Sequence, residues 1–552
     1  MNEMRLAELL QEDGRRTHRA IVERWVIRGQ LVLQTPAHFG AGEAGDYTDM
    51  PLLLDERGQP LLPGTSIAGA LRNALRERQL GDGTPLPKDD HKAEQQEERR
   101  LMSTHLFGFY QGDDDDEGRQ SPLIVEDAPG HAPARGDRFE LRDGVAIDGK
   151  TRTAAVSPDE AKKERGKKFD MELLAAGTTF DLDFELIVSV PYTGPNGDSA
   201  SSNHNARFSD HRHELLRALA TTLGALERGE ITLGARKRRG FGQCLVKEWA
   251  VRRYDLTTRD GLLAWLARER DYPNAPRVTA KQEARVADAI AALSGIPAAE
   301  LAMDDNRRRV SLQANFAVES SLLIRAGMGQ EDQDAPDMVH LHSWRDGHSV
   351  PIVAGTSWAG VLRHRAVKIA KTLGGPEADD RVKSLIDCLF GPAEIKKEDK
   401  SARASRLSVH ESTVTGGREL VQTRVRIDRF TGGALDTGLF DEQPHFGAGE
   451  AAVELSIEIR SPAPQSLRED DKPVVPAAEV GLLLLLLKDL WTGDLRVGGE
   501  ASVGRGVLSG RSAVLTVGGE TYRFTDEAGK LVVEGDRKVL QGYVDALVKK
   551  VE

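Results

Sequence analysis

Apolar and polar positions alternate from Arg19 to Gln34, with Trp25, Ile27, Leu31 and Leu33 on one parity and Arg24, Arg28 and Gln30 on the other, predicting a half-buried strand. From Gly64-Thr65-Ser66 the period lengthens: Ile67, Ala70, Leu71, Ala74 and Leu75 recur at helical spacing, and the hydroxyl of Thr65 or Ser66 is suited to cap the helix start. Leu106-Phe107-Gly108 closes another helical stretch, and Leu123-Ile124-Val125 reads as a strand. Alternation returns from Gly177 to Val190 through Phe180, Leu182, Phe184 and Leu186. A helix from about His213 to Arg228 then leads through a glycine-bearing loop into a closing strand near Cys244 to Trp249.

The same order recurs. Val310, Leu312, Ala314, Phe316 and Val318 alternate, a helix starts at Gly355, and Leu389-Phe390-Gly391 and the strand Leu407-Ser408-Val409 follow. A strand from Ala452 to Ile459, a leucine-rich helix and a glycine loop from Val497 to Gly506 complete the series. From Gly64 to Arg72 and from Gly355 to Arg363 the Gly, Thr, Ser, Ala, Gly, Leu and Arg positions agree without a gap, so the chain reads as two copies of one domain. The boundaries expected are 15–254 for the first domain, 255–306 for a helical interdomain linker, 307–522 for the second domain and 523–552 for a C-terminal tail. Each copy runs strand, helix, strand, long excursion, strand, helix, glycine loop, strand. That order is the split βαβ pattern of an α+β, ferredoxin-like or RNA-recognition-type fold, here in tandem with long inserted loops. His38 to Ala44 recurs letter for letter as His445 to Ala451, but at a different place in the series, and is read as coincidence.

Composition narrows the class. At 552 residues, with 39% hydrophobic and 29% charged residues, the chain suits two soluble domains of ordinary size. The two cysteines, Cys244 and Cys388, lack metal-ligand spacing, and the polar N-terminus has no signal-peptide core, so a reducing cytoplasm and no membrane are expected. The run Leu482 to Leu487 is far below the roughly 20 apolar residues needed to span a bilayer. A formal net charge of −12 is unlike that of a nucleic-acid binder. Much of the acidity, however, is local, at Asp113 to Glu117 and at Glu331, Asp332 and Asp334, and basic clusters stand apart from it.

The strongest of these is the loop Arg236-Lys237-Arg238-Arg239-Gly240-Phe241-Gly242, whose adjacent cations and close-approaching glycine amides suit a phosphodiester backbone. Its counterpart, ending in Gly504-Arg505-Gly506, has a single cation. Lys150 and Arg152 open a basic excursion in the first copy, and Arg429 holds the corresponding stretch of the second.

Together the Gly-Thr-Ser-x-Ala-Gly-x-Leu-Arg helix start, the Leu-Phe-Gly, the Ile427 to Ala434 stretch and the glycine loop resemble the RAMP superfamily of CRISPR-associated proteins, and more narrowly tandem backbone subunits of type III effector complexes. The resemblance implies a cytoplasmic ribonucleoprotein with crRNA, target RNA and other RAMP, large and small subunits as partners. It also implies thumb hairpins within about Asp148 to Lys168 and Arg429 to His445, and guide contacts at Ser66, Arg72, Ser357 and Arg363. Family aspartates needed for metal-dependent cleavage of target RNA correspond here to Asp49 and Asp337, with Asp46 and Asp334 as fallback candidates. The metal would be Mg²⁺ or Mn²⁺, held by Asp49 and Asp337 with a phosphate oxygen. Asp55 and Asp346 read as turn residues. Two alternatives stand beside cleavage: a non-catalytic crRNA-binding scaffold, and a guide-processing endoribonuclease using His38. The second copy has only Gly327-Met328-Gly329 near the His38 position, which favours a loop or capping role for that histidine.

Overall fold

The computed structural model describes residues 20–42, 48–82, 101–109, 120–148, 168–190, 204–268, 276–326, 336–393, 404–447, 449–461, 476–527 and 530–552. In the first half the elements are β1 (Ile21–Leu33), β2 (Leu61–Leu62), α1 (Gly64–Leu80), α2 (Met102–Phe107), β3 (Leu123–Val125), β4 (Ala128–His131), β5 (Phe139–Val145), β6 (Lys168–Leu174), β7 (Thr179–Ser189), α3 (His204–Glu227), β8 (Cys244–Asp255), α4 (Arg259–Leu266), β9 (Lys281–Glu283) and α5 (Val286–Ser294). In the second they are β10 (Arg309–Val318), β11 (Ser321–Leu322), β12 (Arg325–Ala326), β13 (Met338–His340), β14 (His342–Arg345), β15 (His348–Val353), α6 (Gly355–Gly374), α7 (Asp379–Phe390), β16 (Leu407–Val409), β17 (Ser412–Thr415), β18 (Arg418–Glu419), β19 (Gln422–Ile427), β20 (Ala434–Gln443), β21 (His445–Phe446), β22 (Ala452–Arg460), α8 (Ala477–Trp491), β23 (Leu508–Val517), β24 (Glu520–Glu527), β25 (Lys530–Glu534) and α9 (Arg537–Val551).

Each half is built on an antiparallel sheet whose central order is the ferredoxin-like one. In the first, β1 lies between β7 and β8, and β3 and β4 pair with the outer side of β7. In the second, β10 lies between β22 and β23, and β16 and β17 pair with β22. The period-two patterns explain the layering: Trp25, Ile27, Leu31 and Leu33 of β1 and Phe180, Leu182, Phe184 and Leu186 of β7 are buried beneath α1 and α3. Val310, Leu312, Ala314 and Phe316 do the same beneath α6 and α8. The leucine-rich run is the buried helix expected, with Val480, Leu482, Leu483, Leu486, Leu487 and Leu490 in the core. Among the described residues no helix is long and apolar enough to cross a membrane.

Two segments set apart by sequence are built into the domains. The linker supplies β9, which extends the first sheet beside β8, and α5, whose Val286, Ala289 and Ile290 join the first core. The tail supplies β25 at the edge of the second sheet and α9, which brings Leu540, Leu547 and Val551 into the second core. Gly481 lets α8 approach α9 closely, since a Cβ there would lie 2.2 Å from the Tyr543 carbonyl oxygen. Their periodicity is helical, but nothing in it says which core they complete.

The helix starts correct the capping expectation. Pro63 and Ala354 occupy the N-cap positions without a side-chain hydrogen bond, and Thr65, Ser66 and Thr356 are exposed. The motif glycine has a packing role instead. A Cβ on Gly64 would lie 2.3 Å from the Val125 carbonyl oxygen, and one on Gly355 2.7 Å from that of Val409. The Gly64 amide is satisfied by Asp127 Oδ1 at 2.7 Å.

Candidate nucleic-acid interface and aspartate loops

Asp49 and Asp337 occupy the same place in the two domains. Met50 forms a parallel bridge to Met171, and Met338 pairs in parallel with Glu442, so each Asp-Met segment runs beside the returning arm of an inserted hairpin. Asp49 Oδ2 accepts the Asp170 amide at 3.0 Å, and Asp337 Oδ2 accepts the Asp441 amide at 2.9 Å. Both candidate aspartates are exposed. Sequence reasoning missed their neighbours Asp170 and Asp441; an Asp one residue before a pairing partner carries no signal until the register is known. Asp46 and Asp334 lie outside the described residues.

The donors suit a hard divalent cation in kind, since each loop offers an exposed carboxylate, and Asp441 Oδ1 is buried without a hydrogen-bond partner. Among the described residues no three His, Cys, Asp or Glu side chains are placed to hold a metal together. Any ion at these loops would therefore complete its coordination with water and phosphate oxygens. Asp55 is structural as expected: its Oδ1 accepts the amides of Arg57 and Gln59, and Asp346 takes a positive φ in the matching turn.

The inserted hairpins are the thumbs. In the second domain β19 and β20 form it, beginning at Gln422 rather than Arg429, because Gln422 already pairs with Glu442. Asp428 Oδ1 accepts the amides of Phe430 and Thr431 and fixes the tip, where Phe430 is 99% exposed. Those two amide bonds hold the Asp428 carboxyl below its ordinary pKa. In the first domain β5 and β6 form the arms. Lys150 and Arg152 lie outside the described residues. Arg429 sits in the exposed tip of the second thumb.

The basic loop of the first domain is part of the contact between the domains. Arg238 donates to the Ser405 carbonyl and Arg239 Nη2 to the Phe390 carbonyl at 3.1 Å, while Gln243 Nε2 and His410 Nδ1 are 2.6 Å apart. A Cβ on Gly240 would strike the Glu411 amide nitrogen at 2.4 Å, and one on Gly355 would lie 2.2 Å from the Arg239 carbonyl oxygen. The loop of copy one thus abuts the helix start of copy two. Arg236 and Lys237 are exposed, and Arg239 Nη1 is buried without a hydrogen-bond partner. Partial desolvation by the surrounding protein lowers the pKa of all four cations, including Arg236 and Lys237 whose surfaces remain open to water; Arg238 falls to about 10, with Arg460 adding repulsion, and Arg363 adds to the effect on Arg239. Cations crowded in this way favour an anion.

Ser357 and Arg363 lie on the helix this loop reaches. Arg363 is already engaged, donating to the Gly391 carbonyl at 2.6 Å and to Asp387 at 2.9 Å. Ser66 and Arg72 are on the corresponding helix of the first domain, whose Glu77 pairs with Arg460 of the second.

Arg505 and Phe241 correct the expectation that both glycine loops present their central residue to RNA. Each lies between two glycines of positive φ, and each is buried. Phe241 packs with Met171 and Leu173. Arg505 donates to Glu442 at 2.8 Å, Glu500 at 2.7 Å, Ser321 at 2.9 Å and Gln422 at 3.0 Å. Glycines 240, 242, 504 and 506 shape these turns, and Gly240 is itself buried against the second domain.

A second contact joins the domains at the root of the first thumb. Arg142 is buried between Glu140 and Glu411; burial works against its charge, but the two carboxylates outweigh that and raise its pKa. Glu411 also pairs with Arg345, and Trp344 Nε1 donates to Asp137 Oδ2 at 2.7 Å. Buried charges in such a network fix how two surfaces meet, because any slip leaves one unpaired.

His38 is buried, with Nδ1 2.8 Å from the Glu172 carbonyl oxygen. Its true counterpart is Leu323: Ala235 donates to the carbonyl of His38, and Gly499 to that of Leu323. The repeated heptapeptide is indeed not equivalent in space, since His445 lies on β21 at the end of a thumb arm.

A family model described as RAMP superfamily matches residues 30–245 and 316–509. No curated protein matches the chain significantly.

Proposed function

Because the chain belongs to the RAMP superfamily, with a match in each half, we propose that it is a double backbone subunit of a type III CRISPR ribonucleoprotein that binds crRNA and cleaves complementary target RNA. Membership supports RNA binding in a CRISPR-associated setting; the type III assignment and the cleavage are the finer parts of this reading. The observation that carries it is the seam where Arg236, Lys237, Arg238 and Arg239 of one copy meet the helix start of the next, whose Gly355 is buried against the Arg239 carbonyl and whose Thr356 is exposed. There the exposed Arg236 and Lys237 and the unpartnered Arg239 Nη1 gather positive charge beside a helix N-terminus, which suits a sugar-phosphate backbone. Guide pairing supplies sequence selection, so the protein needs backbone contacts rather than base readout.

Asp49 and Asp337 would hold Mg²⁺ or Mn²⁺, with Asp170 and Asp441 beside them. Such an ion, when bound, stabilises the charge that builds on the phosphate. The chain itself places each carboxylate at the root of a thumb, through the amides of Asp170 and Asp441. Phe430, at the tip of the second thumb, is positioned to stack against bases. In the cleavage step the neighbouring 2′-oxygen attacks phosphorus, the 5′-oxygen leaves with a proton, and a 2′,3′-cyclic phosphate remains.

A scaffold that binds RNA without cutting it has its own support, since each candidate aspartate already anchors its loop by a backbone hydrogen bond. Assembled complex carrying Asp49→Asn, Asp337→Asn or both, supplied with matched target RNA, decides between them. Loss of cuts under the double change supports catalysis, and unchanged cutting removes both assignments.

A further inference from the structure

At the root of the second thumb four side chains differ in kind from their counterparts in the first. His340 and His342 stand two and four residues after Met338, where Leu52 and Leu54 follow Met50; His445 pairs with Glu419, where Leu174 pairs with Phe139. Four apolar side chains in one domain, Leu52 and Leu174 buried and Leu54 and Phe139 exposed, are thus titratable ones in the other. His342 Nδ1 faces the His340 carbonyl oxygen at 2.8 Å and Nε2 faces Glu419 Oε1 at 2.8 Å. Both ring nitrogens face only acceptors, which favours the imidazolium, although the approach to Glu419 Oε1 is short in distance rather than well aligned. His445 Nε2 lies 2.8 Å from the Gly416 carbonyl oxygen, and its Nδ1 is 3.9 Å from Glu419. The fully buried His340 has Nδ1 at 3.2 Å from both the Ile324 amide and the Leu322 carbonyl oxygen, and its Nε2 has no hydrogen-bond partner. Gln443 Nε2 donates to Glu419 Oε2 at 2.7 Å. Across β12, the nearest charge, Arg325, is directed at Glu500, and Glu442 of β20 is taken by Arg505 and Arg424.

We propose that this cluster is a one-proton latch, in which protonated His342 ties β14 to Glu419 on β18 and so holds the root of the second thumb beside the Asp337 loop. Losing the proton leaves one of the two acceptors facing His342 without a donor and loosens β12, β13, β18 and β21 together. The first domain, with leucines and a phenylalanine at these places, has no such response. Its meaning for RNA, a pH-gated second site beside an ungated first, rests on the function proposed above.

The signs agree with the geometry. The hydrogen bond to Glu419 raises the His342 pKa above 6.5, so its contribution is complete below 6.5 and is lost as pH rises through the raised value. Burial, with His342 and His445, lowers His340 to about 4, so its contribution is present above 6.5 and is lost as pH falls toward 4. Burial opposes charge on Glu419, but His342 and His445 outweigh it and keep it ionised.

The test uses RNA-free full-length protein. Histidine Cε1–Hε1 resonances are followed from pH 5 to 9, and amide exchange, corrected for intrinsic rates, is measured on β12, β13, β18 and β21. His342 is expected to titrate above 6.5, and exchange to speed at least about tenfold as it does so, with no change at Leu52, Leu54 or Leu174. The paired change His342→Leu with Glu419→Phe, which copies the first domain, should flatten that profile. His342→Gln keeps a donor but cannot titrate, and should flatten it also if the paired variant does not fold. A His342 that titrates at or below 6.5, or identical profiles in wild type and variants, overturns the latch.

Discussion

Glu442 and Arg505 form a buried ion pair at the position where the first domain packs Met171 against Phe241. The two domains have solved one packing problem in opposite ways, and the solutions should be exchangeable only as pairs. Arg505→Phe alone leaves Glu442, buried beside Glu500, with Arg424 as its remaining ion partner and should cost about 3 kcal/mol, whereas Arg505→Phe with Glu442→Met should recover most of that loss. Chemical denaturation of these two variants and of Glu442→Met alone checks this through a double-mutant cycle.

Arg142 should matter to how the domains sit together. Arg142→Met leaves Glu140 and Glu411 facing each other in a buried site and is expected to cost about 3–5 kcal/mol. Scanning calorimetry should show the loss, with the two domains unfolding less cooperatively, and Arg142→Met with Glu411→Gln should recover part of it.

Charge removal on the basic loop separates RNA contact from docking. Arg236→Gln with Lys237→Gln, at exposed positions, should weaken RNA binding and reduce the salt slope by about 2, leaving thermal stability within roughly 0.5 kcal/mol. Arg238→Gln and Arg239→Gln remove bonds to Ser405 and Phe390 as well, so they should lower both affinity and domain cooperativity. Fluorescence anisotropy over a salt series, alongside thermal unfolding, reads both quantities.

The aspartate loops allow a cleaner test than alanine. Asn at 49 or 337 can still accept the Asp170 or Asp441 amide, so stability should hold while cutting at the matching position falls at least about a hundredfold. Chelation by EDTA should stop cutting and leave RNA binding intact. Asp→Ala should give the same loss of cutting, with an added destabilisation of about 1 kcal/mol from the missing hydrogen bond.

Phe430→Ala should leave stability unchanged within roughly 0.5 kcal/mol, because the side chain contacts solvent and Asp428 fixes the tip without it. Its effect is expected only with guide–target duplex bound, as a change in 2-aminopurine fluorescence beside the second thumb.

The duplication, the ferredoxin-like order and the placement of Asp49 and Asp337 were legible in the sequence, because short identical runs and period-two strands are local signals. The role of the basic loop was legible only in part. Four adjacent cations look alike whether they face solvent or another domain, and the Ser405 and Phe390 carbonyls that receive them are more than 150 residues away. The exchange of Phe241 for Arg505 was hidden for the same reason: the arginine is explained by Glu442, and that pairing needs the register of the thumb. Gly64 and Gly355 were visible as invariant, but the carbonyls that exclude a side chain there are tertiary neighbours.

The docking of the Arg236–Gly240 loop on the second domain joins unlike surfaces, and such a contact gives the chain a direction. At one end, among the described residues, Ile124, Glu126 and Asp127 on and after the receiving strand of the first domain are exposed. At the other, the second domain offers a loop of Ala501, Ser502 and Val503, without a cation. The arginines that made the inner joint are missing from the outer loop, so that loop cannot form the bonds that Arg238 and Arg239 make to the Ser405 and Phe390 carbonyls.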